Sequence, residues 1–206
     1  MYYIVGLGNP GREYALTRHN TGRIALGDLV KINETKLNKK LNALVDKIKI
    51  GREKVQIIFP ETYMNKSGLS LKPLVNKIVK KNKVCPVGKR SLSHGAKNLI
   101  VVHDDLDLAL GKFKISFGSG SAGHRGVESI IKNIKTKDFI RIRVGISPLT
   151  PSGKIKKPHA KKVINYIISK FKPKEFQIIR KVATKITAAI EAIVNEGLQK
   201  AMSLYN

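Results

Sequence analysis

The stretch that most constrains this chain is Ile4 to Gly22, IVGLGNPGREYALTRHNTG. A short apolar strand, Tyr3-Ile4-Val5, runs into Gly6-Leu7-Gly8-Asn9-Pro10-Gly11 and must stop there, because proline cannot donate to a sheet ladder and glycine favours turns. Asn9 therefore sits just beyond a strand end, the place where open α/β sheets bind ligands. Arg18, His19 and Asn20 follow, an expensive polar set to bring beside a strand end for packing alone. Gly6, Gly8 and Gly11 also spell G-x-G-x-x-G, the fingerprint that lets a backbone approach a pyrophosphate at a helix N-terminus. Pro10 and the long interval before the next helical pattern, near Thr21, argue against that use.

Strand and helix patterns alternate along the rest of the chain, as expected for an α/β fold with a single mixed, mostly parallel twisted sheet flanked by helices. A helix is expected from Thr21 to Asn33, then a basic connector, Lys36 to Lys40. Leu41–Ile50 and Lys54–Phe59 read as two strands joined by a hairpin-like turn at Gly51-Arg52, with Pro60 ending the second. Lys66–Lys80 has helical spacing, with Pro73 in its first turns and Asn65 at or near its N-cap. Residues 81–97 lack periodicity and read as a basic loop containing His94. Leu99–Val102 is all apolar, the pattern of a central strand buried on both faces, and His103-Asp104-Asp105-Leu106-Asp107 follows at its end. Lys112–Phe117 and Ile140–Ile146 alternate as strands, the latter placing Arg141 and Arg143 on one face. Gly118–Gly126 is a glycine-rich loop opening the helix Val127–Ile134, and Pro148–Pro158 a lid-like loop. The final third is helical: Lys161–Lys170, then Pro173 to about Glu191, continuing toward Leu204. Nothing suggests a second domain, so 1–206 is expected to be one unit.

Forty Lys+Arg against fourteen Asp+Glu give a net charge of +26. Such a field attracts polyanions and repels other copies of the chain, so nucleic acid is the expected partner and a monomer the expected state. Cys85 is the only cysteine, which excludes an intrachain disulfide and a multi-cysteine metal site and fits a cytoplasmic setting. MYYIVGLG already reads as a strand, leaving no room for a targeting peptide, and no apolar run is long enough to span a bilayer.

The residues themselves suggest hydrolytic chemistry. His19, with an ordinary pKa of about 6.5, suits a general base near neutral pH. Asp104 could hold its other ring nitrogen, fixing the tautomer and stabilising the imidazolium. No nucleophilic serine or cysteine is obvious, so direct attack by water is favoured, with Ser67 and Cys85 as the fallback nucleophiles. Asp104, Asp105 and Asp107 form a D-D-x-D run that could hold a divalent cation, but no further acidic residues gather near it.

GLGNPGREYALTRHNTG resembles the N-terminal signature of the bacterial-type peptidyl-tRNA hydrolases, enzymes that cleave the ester between a peptide and tRNA. Pro60-Glu61-Thr62-Tyr63-Met64-Asn65-Lys66-Ser67-Gly68 resembles the second motif of that family, and His103–Leu108 through Gly123-His124 the third. The resemblance implies hydrolysis of N-blocked peptidyl-tRNA to release peptide and recycle tRNA, without cofactor or metal. It implies that Asn9 and Asn65 hold the first peptide amide and that Asn20 and His124 assist binding. Tyr14 and Tyr63 are candidates for flanking the terminal adenosine or for wall packing. The family's glycine loop usually reads His-Asn, whereas here Arg125 follows His124. A lysine that grips the tRNA 5′-phosphate aligns with Ser116 and its partner with Arg143, so Lys114 or Arg125 is expected to replace it. The rival reading is a non-catalytic RNA-binding or splicing-cofactor relative.

Overall fold

The computed structural model describes residues 1–79 and 95–206. The expectations for Cys85, His94 and most of 81–97 therefore lie outside the described residues.

One sheet contains β1 (Tyr2–Gly6), β2 (Lys36–Asn38), β3 (Ala43–Ile50), β4 (Glu53–Pro60), β5 (Ala96–Ala109), β6 (Phe113–Phe117) and β7 (Phe139–Ser147). Their order is β2-β3-β4-β1-β5-β7-β6. The central strands β4, β1, β5 and β7 run parallel, while β2, β3 and β6 add antiparallel pairs at the edges. The hairpin at Gly51-Arg52 joins β3 to β4, with Ile50 opposite Glu53. β1 lies between β4 and β5, so the connections leaving it and returning past it run to opposite sides. A crevice therefore opens beyond its C-terminal end.

Helices cover both faces. On one, α1 (Thr21–Ala25), α5 (Pro173–Glu196) and α6 (Leu198–Tyr205) pack on inward residues such as Ile4, Ile57 and Ile142. On the other, α2 (Val75–Ile78) and α3 (Arg125–Ile134) pack with Leu71 and Met64 on Val5, Ile58 and Val101. Successive strand residues point to opposite faces, so β1 feeds both cores. No residue of α4 (Val163–Ile168) is fully buried, and only Tyr166 and Ile167 pack against the first core.

Several elements differ from the sequence expectation. The helix expected to reach Asn33 is α-helical only over Thr21–Ala25, and Ile32–Glu34 is a separate 3-10 turn. Its entry is set by Gly22, where a Cβ would lie 2.2 Å from Val102 O and 2.5 Å from Leu7 N. The connector at Lys36 includes β2, whose three exposed residues become a strand by pairing with β3. Met64–Ser70 and Lys72–Leu74 are 3-10 turns, so only Val75–Ile78 is α-helix. β5 does not end at Val102 but runs on through His103–Asp107, because β7 continues to pair with it, at Asp105 opposite Gly145 and, after a register shift, at Ala109 opposite Ser147. Pro148–Pro158 folds back on itself through Thr150 N to Lys154 O, 2.8 Å, and Lys156 N to Pro148 O, 2.8 Å.

Candidate active site

The ends of β1 and β4 and the extension of β5 meet at a cleft of about 730 Å³. Asn9, His19, Tyr63, Asn65, Asp104 and His124 all line it. Tyr14 does not, and half-buried in its own turn it offers a backbone carbonyl to Thr17.

Beyond β1, Leu7 N still reaches Val102 O at 3.0 Å, and the chain then turns across the sheet edge. Asn20 fixes that turn: its Oδ1 accepts from Asn9 N at 2.8 Å and its Nδ2 donates to Asn9 O at 2.9 Å. Oδ1 and Nδ2 of this buried amide are thereby both engaged, so Asn20 fixes the backbone of Asn9. Asn9 in turn accepts from Met64 N through Oδ1, 2.8 Å. Its Nδ2 is left to donate into the cleft. Arg23 completes the link between the first two motifs by donating to Pro60 O at 2.6 Å and pairing with Glu61.

His19 sits on a 3-10 turn, Arg18–Asn20, and is 7% exposed. Its Nδ1 lies 3.0 Å from both carboxylate oxygens of Asp104. An ionised carboxylate can only accept, so Nδ1 carries the proton and Nε2 presents its lone pair. Burial of His19 opposes protonation, but the charge and hydrogen bond of Asp104 outweigh it. Its pKa consequently lies above the ordinary histidine value, with Arg125 pulling weakly the other way.

His124 meets the same carboxylate from the opposite side, Nε2 to Asp104 Oδ1 at 3.0 Å. Its Nδ1 accepts from Gly126 N at 3.1 Å and Val127 N at 3.3 Å, making it the N-cap of α3. Two backbone donors at Nδ1 put the proton on Nε2, so His124 donates to Asp104. Both ring nitrogens of His124 are thereby engaged within the protein. Burial favours a neutral carboxyl at Asp104, but the two imidazoles reverse this and hold its pKa far below the usual carboxylate range.

His19, Asp104 and His124 also lie close enough to suggest a metal centre. The hydrogen bonds disagree. Ligation through His124 Nε2 would move its proton to Nδ1, against two backbone N–H groups. The rest of the D-D-x-D run is also occupied, with Asp105 accepting from Arg143 Nε at 2.6 Å and Asp107 paired to Lys157.

Asn65 is exposed in the second position of the Met64–Ser70 turn, whose N-cap is Tyr63. It lines the cleft. Ser67 is fully buried with Oγ donating to Met64 O at 2.9 Å, which removes it as a nucleophile. Tyr63 is 61% exposed at the rim. Arg125, at the first position of α3, also lines the cleft. Lys114 and Arg143 lie outside it, opposite each other on β6 and β7. Arg141 was grouped with Arg143 by alternation, but it is buried and donates to Gly120 O at 2.7 Å, bracing the glycine loop.

Comparison with known proteins agrees with this geometry. The model of the family described as peptidyl-tRNA hydrolase matches residues 3–206. The chain belongs to that family. The peptidyl-tRNA hydrolase of Thermodesulfovibrio yellowstonii is 38% identical over 206 residues, covering 100% of this chain and 99% of the relative. That of Fervidobacterium nodosum is 39% identical over 203 residues, covering 98% and 94%. Among solved structures, the peptidyl-tRNA hydrolase of Acinetobacter baumannii superposes with a TM-score of 0.80 at 27% identity, over 100% of this chain and 94% of that one.

What sequence reasoning missed is the supporting role of Arg18, Arg23, Arg141 and the second histidine on Asp104. Arg18 and Arg23 carry a local signal, since both flank the His-Asn pair. Their partners lie as far as 157 residues away.

Proposed function

We propose that this chain hydrolyses the ester of N-blocked peptidyl-tRNA by a water that His19 activates. The observation carrying this reading is the Asp104–His19 pair, whose Nε2 faces the cleft beside the free amide of Asn9. Peptidyl-tRNA cleavage requires removal of a proton from water as it attacks the ester carbonyl. His19 Nε2 takes that proton, and the imidazolium formed is stabilised by Asp104 at 3.0 Å. His124 keeps the carboxylate in place. Asn9 Nδ2 and the Asn65 amide hold the peptide carbonyl and orient the ester. The proton then passes from His19 to the departing ribose oxygen, releasing the peptide acid and free tRNA.

Neutral amides suit an N-blocked substrate. A free ammonium in place of the peptide amide would forfeit the hydrogen bond to them and carry its own desolvation cost. Tyr63, exposed at the rim, flanks the terminal adenosine. Lys114, Arg143 and Arg125 lead from the sheet edge to the cleft mouth and bind phosphate, Arg143 with its Nε committed to Asp105. The +26 charge supplies the broader attraction for tRNA. The reaction needs no cofactor. None of the described helices is long and apolar enough to cross a membrane, and a monomer acting in the cytoplasm is the reading that fits the charge and the single cysteine.

The test is hydrolysis of N-acetyl-aminoacyl-tRNA beside the unblocked aminoacyl-tRNA, with chelator present, for wild type and His19→Ala. Preferential cleavage of the blocked ester that collapses in the variant is expected. Tight, salt-sensitive tRNA binding without turnover would overturn the reading in favour of a non-catalytic RNA-binding protein.

A further inference from the structure

Five of the six residues of α4, VINYII, are apolar or aromatic, yet the helix buries none of them. Val163, Ile164, Ile167 and Ile168 instead line the cleft that His19 also lines, with Ile164 55% and Ile168 44% exposed. An isolated helix shorter than about 12 residues is marginal in water. α4 touches the core only through the partly buried Tyr166 and Ile167, so its remaining anchors are polar and lie elsewhere.

Arg18 provides most of them. Its guanidinium lies 4.6 Å from the ring centre of Tyr166 and 5.2 Å from that of Phe171. Nη1 donates to Ser169 Oγ at 2.8 Å, Lys170 O at 2.8 Å and Ser169 O at 3.3 Å, and Nη2 donates to Glu175 Oε2 at 2.7 Å. Glu175 Oε2 also accepts from Lys172 N at 2.7 Å, so the carboxylate anchoring Arg18 caps α5 as well. The backbones join at the same point, through Arg18 N to Ser169 O at 3.1 Å and Phe171 N to Leu16 O at 3.0 Å. Tyr166 Oη also donates to Ile146 O at 2.6 Å, and Tyr166 and Ile167 pack against the core. His19 is the next residue in the chain and shares the same turn, but Asp104 orients its ring, so what depends on Arg18 is the placement of the isoleucine face beside it.

We infer that Arg18 is a positioning residue that sets the isoleucine face of α4 against His19, and that this face receives an apolar side chain on the esterified amino acid. The inference rests on the ester-hydrolase reading. An apolar wall gains from each methylene it covers, whereas the chemistry at His19 is the same for every ester. Loss of Arg18 is therefore expected to weaken capture of apolar residues without altering the titration of the base.

The experiment measures kcat, KM and the pH profile on N-acetyl-leucyl-tRNA and N-acetyl-glycyl-tRNA. The proteins are wild type, Arg18→Lys and the double variant Arg18→Gln/Glu175→Gln, which leaves no buried carboxylate unpaired. The expected result is a KM for the leucyl substrate raised about tenfold more than for the glycyl substrate. The acid limb of the pH profile stays in place. Arg18→Lys keeps the charge but not the fork and falls between wild type and the double variant. A loss equal on both substrates, or a shifted acid limb, means that Arg18 acts through His19 or the fold and overturns the inference. Ile164→Ser/Ile168→Ser replaces exposed residues and should lower the leucyl-to-glycyl ratio of kcat/KM about tenfold. An unchanged ratio there overturns it even if the Arg18 variants fail to fold. If wild type cleaves neither substrate, the ester-hydrolase reading itself fails and takes this inference with it.

Discussion

Replacing Asp104 with asparagine isolates the charge that the site places behind its general base. The substitution is nearly isosteric, and Asp104 Oδ1 already accepts from both imidazoles at 3.0 Å. An asparagine oxygen in that position keeps both contacts, while the amide nitrogen that replaces Oδ2, 3.0 Å from His19 Nδ1, adds a donor facing the Nδ1 proton and can only deepen the loss. What disappears is the attraction between carboxylate and the imidazolium formed in the reaction. With charge centres about 4 Å apart and an effective dielectric of about 20, that attraction is about 4 kcal/mol. The remaining neutral hydrogen bond returns about 1 kcal/mol. A net loss of about 3 kcal/mol corresponds to roughly a hundredfold fall in kcat. The pH profile carries the sign. Burial lowers the His19 pKa and Asp104 raises it above the ordinary value, and wild-type activity falls as pH drops through that raised pKa. Without the carboxylate, burial and Arg125 act unopposed, so the acid limb of Asp104→Asn moves to lower pH while its plateau falls. Steady-state hydrolysis of N-acetyl-aminoacyl-tRNA between about pH 5 and 9 reads both effects. A loss smaller than about threefold, or an acid limb displaced to higher pH, would refute the assignment of Asp104 as the charge behind His19.

The Arg125 guanidinium opposes protonation of His19, so Arg125→Asn should shift the acid limb of the same profile to higher pH, and an unmoved limb would exclude that coupling. Lys114→Ala and Arg143→Ala should each weaken tRNA binding and reduce the slope of log affinity against log salt by about 1, measured by filter binding across a salt series. If both slopes match wild type, phosphate contacts must be sought elsewhere. A Cβ at Gly22 would lie 2.2 Å from Val102 O, so Gly22→Ala should cost about 1–3 kcal/mol or more in denaturant unfolding. Wild-type stability would mean that α1 can shift freely on β5. Asn20→Ala deletes both hydrogen bonds holding the Asn9 backbone and should lower kcat with little effect on the salt dependence of tRNA binding; a pure binding defect would mark Asn20 as a ligand contact.

The sequence by itself determined the strand end at Asn9, the hairpin at Gly51-Arg52 and the three motifs in their order along the chain. Those features are local: period-two apolar runs, glycines and prolines act on their own stretch of chain. His19 was legible from the polar cluster it forms with Arg18 and Asn20, and Asp104 from its place after the apolar run Leu99–Val102. The tertiary structure decided what local pattern cannot reach. β2 is three exposed residues that become a strand by pairing with β3, and β5 carries polar residues through His103–Asp107 because β7 extends beside it. Apolar spacing from Lys66 onward reads as α-helix, yet 3-10 turns form where Gly68 presses on α3, a Cβ there lying 2.1 Å from Ser129 O. The roles of Asn20, His124 and Arg18 belong to the same class. Each is set by partners brought together only when the sheet closes, and a side chain cannot advertise in sequence which distant carbonyl or carboxylate will consume its hydrogen bonds.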